Sequence, residues 1–548
     1  MLWYLLLGVA HGYLQLDFER SNNAENLLAK RDDALDPTVL LKNVDSLEYT
    51  MQVQVGSPPQ NISVQLDTGS SDLWLVGSDN PYCKENKKYA PKKKQEEALP
   101  DDGFPTSFDQ VTKKMRTLQC VKGGGLFNLS NSSTYKSNDS SFLIVYGDNS
   151  FAKGGLGTDI LSFGSFNTTD LLFGVANFTT TETGVLGVGL PYDESTYNVS
   201  YNGTDKSQSY TYDNFPLILK KNGVIDKIAY SVYLNASSST GGTILFGALD
   251  HSKYTGDLVT LPLARRDVGS GSMEYPDPYE LSVVWTGLYF NDTGLVKNVT
   301  GDLAAYRQLR KRADDVTDDE DLNLIQNSTV ALLDTGTTIT YMPQDLIDVL
   351  TQIVNGTVDE KTNFIKLKKC PKKNDYRAFT FEFDNAQVVV PYNSIISKKK
   401  GKCYLEVGVQ QDTGEGDGDF AILGDNFLSH AYVVYNLEDY EISIAQANYS
   451  PGSPDIEQIV EEVPSATRAS AYSSDSIVSN STMTSAAPRV TAASNKTNAT
   501  NGTNGTNGTN STRKYLQRRA NVNSADSLKS SGYIATAILA AAAVAMFL

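Results

Sequence analysis

From residue 47 to about residue 449, apolar residues recur at every second position in short runs. Tyr49, Met51, Val53 and Val55 alternate with polar neighbours, then Gly56-Ser57-Pro58-Pro59 makes a turn, and Ile62, Val64 and Leu66 alternate again. Such runs, rich in β-branched and aromatic residues and separated by Gly, Asn and Ser, predict a mostly β protein. Amphipathic helical spacing is rare, and Asp345 to Ile353 is its best instance. Two polar stretches interrupt the alternation. Residues 84–119 carry Lys92-Lys93-Lys94, Glu96-Glu97 and Asp101-Asp102, and residues 302–329 carry Arg310-Lys311-Arg312 beside Asp314-Asp315. Both are expected to be inserted surface loops open to proteolysis.

The two ends differ from this body. Residues 1–12 are apolar with a small-residue cleavage pattern, as in a signal peptide. Residues 13–31 are polar and end in Lys30-Arg31, which suggests a propeptide cut after Arg31, with the folded region beginning at 32. After Tyr449 the alternation stops. Residues 450–523 are dominated by Ser, Thr, Asn and Ala, with Asn-Gly-Thr repeated from Asn501. That composition cannot bury a core, and each Asn-Gly-Thr is a glycosylation sequon, so a glycosylated stalk is expected. Tyr533 to Leu548 are mostly apolar, but this is shorter than the roughly twenty residues of a spanning helix. Polar residues precede them, and small residues Asn523-Ser524-Ala525 lie before those. This order fits a glycosylphosphatidylinositol (GPI) signal, with attachment at Asn523, Asn521 as its rival, and residues 524–548 removed. A plain membrane anchor is the alternative.

One element occurs twice. Val64 to Val76 reads VQLDTGSSDLWLV, and Ala331 to Tyr341 reads ALLDTGTTITY. Each places an Asp-Thr-Gly turn after an apolar strand and before hydroxyl residues. Downstream of each lies an apolar-apolar-Gly strand, Val185-Leu186-Gly187 and Ile422-Leu423-Gly424. A single Asp-Thr-Gly is an ordinary turn, but a duplicated set marks an internal repeat.

The net charge of −17 and pI of about 4.7 argue against a nucleic-acid partner and fit an acidic setting or cationic substrates. The three histidines are far apart, so neither a zinc site nor a serine triad is well supplied, and no metal or cofactor is expected. The four cysteines form one local pair in each half. In a secreted chain they suggest two disulfides, taken as Cys83–Cys120 and Cys370–Cys403 among three possible connectivities.

Over roughly Leu47 to Asn448 the chain resembles pepsin-type aspartic proteases. The resemblance rests on VGSPPQ, LDTGSSDLW, YGDNSFAKGGLGTDIL from Tyr146, TGVLGVGL, LLDTGTTITYMP and AILGDNFLSHAYVVYNLED. It implies an all-β, bilobal fold with pseudo-two-fold symmetry, lobes at 32–228 and 229–449, and a cleft between them. Asp67 and Asp334 would form the catalytic dyad acting on polypeptide substrates. Gly69 and Gly336 would let the backbone approach the carboxylates, and Ser70 and Thr337 would hold their outer oxygens. Tyr146 and Gly147 would belong to a flap, with the Tyr146 hydroxyl reaching the Trp74 indole.

Asp148 stands in that flap where relatives usually carry an uncharged hydroxyl residue. It would pair with a Lys or Arg of the substrate. Together with the acidity, the 84–119 insertion and the GPI signal, it gives a resemblance to the fungal yapsins, cell-surface proteases that cut after basic residues. Partners would then be polypeptides with basic residues, the membrane through the anchor, and cell-wall glucan. A broad-specificity secreted acid protease and a non-catalytic GPI-linked wall mannoprotein are the alternatives.

Overall fold

A computed structural model describes residues 12–22, 47–83, 118–147, 150–197, 210–235, 241–266, 278–291, 323–325, 328–359, 362–373, 375–410, 420–472 and 483–485. One continuous sheet of sixteen strands runs through the first half and on into the second. A separate five-stranded sheet in the second half carries the other copy of the repeat. Helices are few. Gln344–Ile353 matches the amphipathic stretch and buries Leu346, Ile347, Leu350 and Ile353.

The repeat is a repeat of topology. Gln60–Asp67 runs parallel to Gly184–Gly187, with Asp67 opposite Gly187, and Gly184–Gly187 is antiparallel to Leu73–Val76. In the second half Thr329–Leu333 runs parallel to Phe420–Leu423, which meets Thr340–Met342 in antiparallel fashion through Tyr341 and Ile422. Leu73–Val76 and Gly184–Gly187 are buried along their whole length. That is why they read as unbroken apolar runs, whereas the outer strands alternate. On the other side Gln60–Asp67 is antiparallel to Leu47–Val55 and Thr329–Leu333 to Ser282–Trp285, so each aspartate leaves the end of a strand held from both sides.

Three boundaries differ from the sequence reading. The segment assigned to a propeptide contains the strand Leu14–Asn22. Its first half pairs with Gly242–Phe246 and its second with Leu47–Thr50. Leu14, Leu16 and Phe18 are buried between these neighbours, so the folded body takes in residues well before 32. The alternation Leu-Gln-Leu-Asp-Phe was present, but it is one short strand ahead of a dibasic site.

Described structure also continues past residue 450, where the sequence reading placed the start of a stalk. Ile456–Gln458 pairs with Ala248–Asp250, and Ala466–Arg468 lies parallel to Leu258–Thr260 at the edge of the large sheet. Ile459, Val463 and Ala469 are buried, and the Tyr472 hydroxyl donates to Glu441 at 2.5 Å. Three apolar anchors spread among polar residues give too weak a pattern to read as structure, yet the strap closes an open sheet edge. The inserted loops are shorter than expected. Leu118 donates its N–H to the Tyr82 carbonyl, Leu324 and Ile325 are buried, and a strand already begins at Thr329.

Cys83 is bonded to Cys120 and Cys370 to Cys403, with Cα–Cα distances of 5.5 and 5.2 Å. Lys30, Arg31, Asn523 and the C-terminal apolar segment lie outside the described residues.

A strand at Met483–Ser485 also pairs with Ala264–Arg266, so a chain ending after residue 485 should unfold at the temperature of one carrying the full tail. Ending it after 449 should lower the midpoint by about 2–5 °C, because three buried side chains and the pairings of Ile456–Gln458, Ala466–Arg468 and Met483–Ser485 go. Thermal unfolding of the purified proteins checks this, and equal midpoints would show that residues 450–485 add nothing to the folded body.

Candidate active site

Thr68 and Thr335, the middle residues of the two triplets, join the halves. The Thr68 N–H donates to Thr335 Oγ1 at 3.1 Å, and the Thr335 N–H donates to Thr68 Oγ1 at 3.0 Å. The Thr68 hydroxyl then donates to the Leu333 carbonyl at 2.7 Å, and that of Thr335 to the Leu66 carbonyl at 3.0 Å. Both threonines are buried and every polar atom in this ring is used, so the ring fixes the two turns against each other. Sequence reasoning passed over both threonines as parts of a turn. Their signal was that a hydroxyl residue is duplicated along with the aspartates.

The clamp brings the carboxyl groups of Asp67 and Asp334 together with mirrored partners. Gly69 donates its N–H to Asp67 Oδ1 at 2.8 Å, and Gly336 donates to Asp334 Oδ1 at 2.7 Å. The Ser70 and Thr337 hydroxyls each donate to the Oδ2 of their own aspartate at 2.5 Å. The glycines are required by close approach. A Cβ at Gly69 would stand 2.6 Å from the Asp334 carboxyl carbon, and one at Gly336 2.7 Å from that of Asp67. Burial, and after it the charge of Asp334, hold the Asp67 carboxyl well above the usual carboxylate range, against the opposing pull of the Ser70 hydroxyl and Gly69 N–H. The Asp67 carboxyl therefore holds its proton more tightly than an exposed aspartate does.

Above Asp67, the strands Lys136–Val145 and Phe151–Thr158 form a hairpin closed by the Tyr146 N–H on the Ser150 carbonyl at 2.8 Å. The fully buried Trp74 donates its indole N–H to the Tyr146 hydroxyl at 2.7 Å. Burial and the charge of Asp67 keep the Tyr146 phenol protonated. Gly147 is exposed at the tip, and Asp148 lies outside the described residues. Among the described residues no cluster of His, Cys, Asp and Glu could hold a metal.

Behind the Asp67 turn lies a second acidic pair that sequence reasoning missed. Asp72 accepts hydrogen bonds from the Tyr212 hydroxyl at 2.6 Å, the Ser195 N–H at 2.8 Å and the Ser195 hydroxyl at 3.0 Å. Glu194 is fully buried. Its Oε2 takes the Tyr212 N–H at 2.7 Å, while Oε1 has no partner among the described residues. Burial above all, with Asp72, Asp193 and Asp213 adding repulsion, pushes the Glu194 carboxyl up to about 10. Only the fold reveals this pair, because Asp72, Glu194 and Tyr212 come from three separate segments.

Glu194 therefore keeps its proton in the folded chain and loses it on unfolding once pH exceeds the ordinary carboxyl value of 4.5. Its contribution to stability is complete below that value and declines as pH rises towards about 10. Glu194→Gln should flatten the fall in stability between pH 5 and 9 by about one proton, roughly 1.4 kcal/mol per pH unit at most. Denaturant unfolding across that range measures it, and identical slopes would show that Glu194 is not a buried acid.

The comparisons with known proteins agree with this geometry. The family described as eukaryotic aspartyl protease matches residues 48–276 and 294–447. Aspartic proteinase 3 of Saccharomyces cerevisiae is 36% identical over 81% of this chain and 77% of its own length. Aspartic proteinase yapsin-3 of the same yeast is 36% identical over 84% and 78%. Secreted aspartic protease 10 of Candida albicans is 32% identical over 84% and 85%. The crystal structure of an aspartic proteinase from Irpex lacteus superimposes with a TM-score of 0.50, covering 81% of this chain and 100% of that one at 19% identity. The chain belongs to the eukaryotic aspartyl proteases, as an aspartic-type endopeptidase of the yapsin group with their all-β, bilobal fold.

Proposed function

We propose that Asp67 and Asp334 hydrolyse peptide bonds through a water molecule held between them. The ionised carboxylate takes a proton from the water as its oxygen attacks the peptide carbonyl. The protonated carboxyl donates to the carbonyl oxygen, and the amine leaves after gaining a proton from the pair. No covalent acyl intermediate is needed. The observation that carries this reading is the mirrored placement of two buried carboxyls, each held by the glycine N–H of its own loop, with burial and the charge of Asp334 raising the Asp67 carboxyl. Tyr146, held by Trp74, would close over bound substrate, and Gly147 would let the flap tip approach it.

The substrate reading is a preference for Lys or Arg before the scissile bond, with Asp148 as the partner of that side chain. Its support is the flap carboxylate in the sequence, the net charge of −17 and the likeness to yapsin-3. The setting we propose is the cell surface. Residues 1–12 would direct secretion, Lys30-Arg31 would be a processing site, and Asn523 would carry a GPI anchor to the plasma membrane or wall glucan. A relative at 32% identity bears the name of a secreted protease, which supports the secretory part.

Asp67→Asn and Asp334→Asn should each lower kcat by about 10²–10⁴-fold while leaving the fold intact, as expected when a general acid or base is removed. Either variant hydrolysing at the wild-type rate would refute the dyad. On a peptide library at acidic pH, cleavage should fall after Lys and Arg, and Asp148→Thr should cut kcat/KM for those peptides by about tenfold through the lost charged contact. Cleavage mainly beside Leu or Phe, unchanged in Asp148→Thr, would favour a broad-specificity protease instead.

A further inference from the structure

The bonds within the two dyad loops come in mirrored pairs: Thr68 with Thr335, Gly69 with Gly336, Ser70 with Thr337. Among the described residues, one side-chain bond that crosses between the two halves at these loops has no mirror. Gln65 Nε2 crosses between the halves and donates to the Gly336 carbonyl at 3.0 Å. The residue two places before Asp334 is Leu332, a buried apolar side chain with no donor to offer Gly69.

Gln65 is well placed to hold that carbonyl. Its backbone is fixed in the interior of the sheet, opposite Val185 on one side and Thr50 on the other. Its side chain is half-buried. The carbonyl it holds belongs to the peptide group that leads into Thr337, whose hydroxyl holds Asp334 Oδ2. The N–H of the same Gly336 holds Asp334 Oδ1. Both oxygens of Asp334 are thus held by residues flanking the peptide that Gln65 ties to the opposite lobe. The corresponding loop around Asp67 is not held in this way by Leu332.

We propose that Gln65 is a positioning residue for Asp334, and that its one-sided bond makes the otherwise symmetric aspartates inequivalent. This rests on the reading of Asp67 and Asp334 as the catalytic dyad. Without the bond, the Gly336–Thr337 peptide can tilt, Asp334 loses its fixed orientation towards the shared proton, and the chemical step slows while substrate binding hardly changes.

The test compares Gln65→Leu and Gln65→Glu with wild type in the full-length secreted chain, using an internally quenched peptide between pH 3 and 7. Gln65→Leu, which copies Leu332, should lower kcat by about tenfold with KM nearly unchanged, the loss expected for one misaligned catalytic contact. Its pH profile should shift, and its unfolding midpoint should stay near wild type. Gln65→Glu separates position from shape. Its protonated acid can donate to Gly336 at the acidic end and should restore kcat there. Its ionised form cannot donate, and activity should fall below wild type as pH rises through the carboxyl range. Wild-type kcat and pH profile in Gln65→Leu would overturn the inference. So would a kcat loss matched by a fallen midpoint with an unshifted profile, or a Gln65→Glu curve that tracks Gln65→Leu at every pH. If Asp67→Asn is inactive while Gln65→Leu behaves as wild type, the dyad stands and only the role of Gln65 fails. An active Asp67→Asn would remove the dyad itself.

Discussion

Two like-charged groups are buried against one another at the junction of two lobes, and the rest of the molecule is arranged to allow it. A pair of ionised carboxylates in such a place would repel strongly and lose their hydration. The cost falls once one proton is shared. It falls further because each carboxyl accepts one backbone N–H and one hydroxyl from its own loop. The threonine ring sets the distance between the loops, and two glycines remove the atoms that would hold them apart. What makes the pair costly to bury is also what the proposed mechanism uses, with one member acting as base and the other as acid.

The sheets extend this logic outward. Each aspartate sits at the end of a strand flanked by a parallel and an antiparallel neighbour, so the loop has little freedom before its own hydrogen bonds form. The strand Leu14–Asn22 links Gly242–Phe246 to Leu47–Val55, and the strap Ala466–Arg468 covers the sheet edge at Tyr254–Pro262. Glu194 and Asp72 repeat the central theme behind the Asp67 turn: a buried acid kept neutral beside another acid.

Much of the site was legible because duplication and chain-local chemistry carried it. The alternation in Tyr49 to Leu66 gave real strands, the repeated Asp-Thr-Gly identified the aspartates, and family motifs pointed to Tyr146 and Trp74, which the structure brings within hydrogen-bond distance. What escaped notice depends on pairings far apart in sequence. Gln65 reads as the polar position of an alternating strand until Gly336 is seen beside it. Glu194 lies in a polar-looking turn and becomes fully buried only when Tyr212 and Asp72 pack around it. The segments 14–22 and 450–472 were missed for a related reason. Each has only three clear apolar anchors, and what orders each is its pairing with strands distant in sequence.

The most direct test of the central claim is a pH titration of the Asp67 carboxyl, read by ¹³C NMR in aspartate-labelled protein, in wild type and Asp334→Asn. The account predicts a wild-type carboxyl that stays protonated well above the usual aspartate range. In Asp334→Asn its titration should move downward, because the second charge is gone while burial remains. An Asp67 that titrates in the ordinary range in both proteins, unmoved by the loss of Asp334, would contradict a shared-proton dyad.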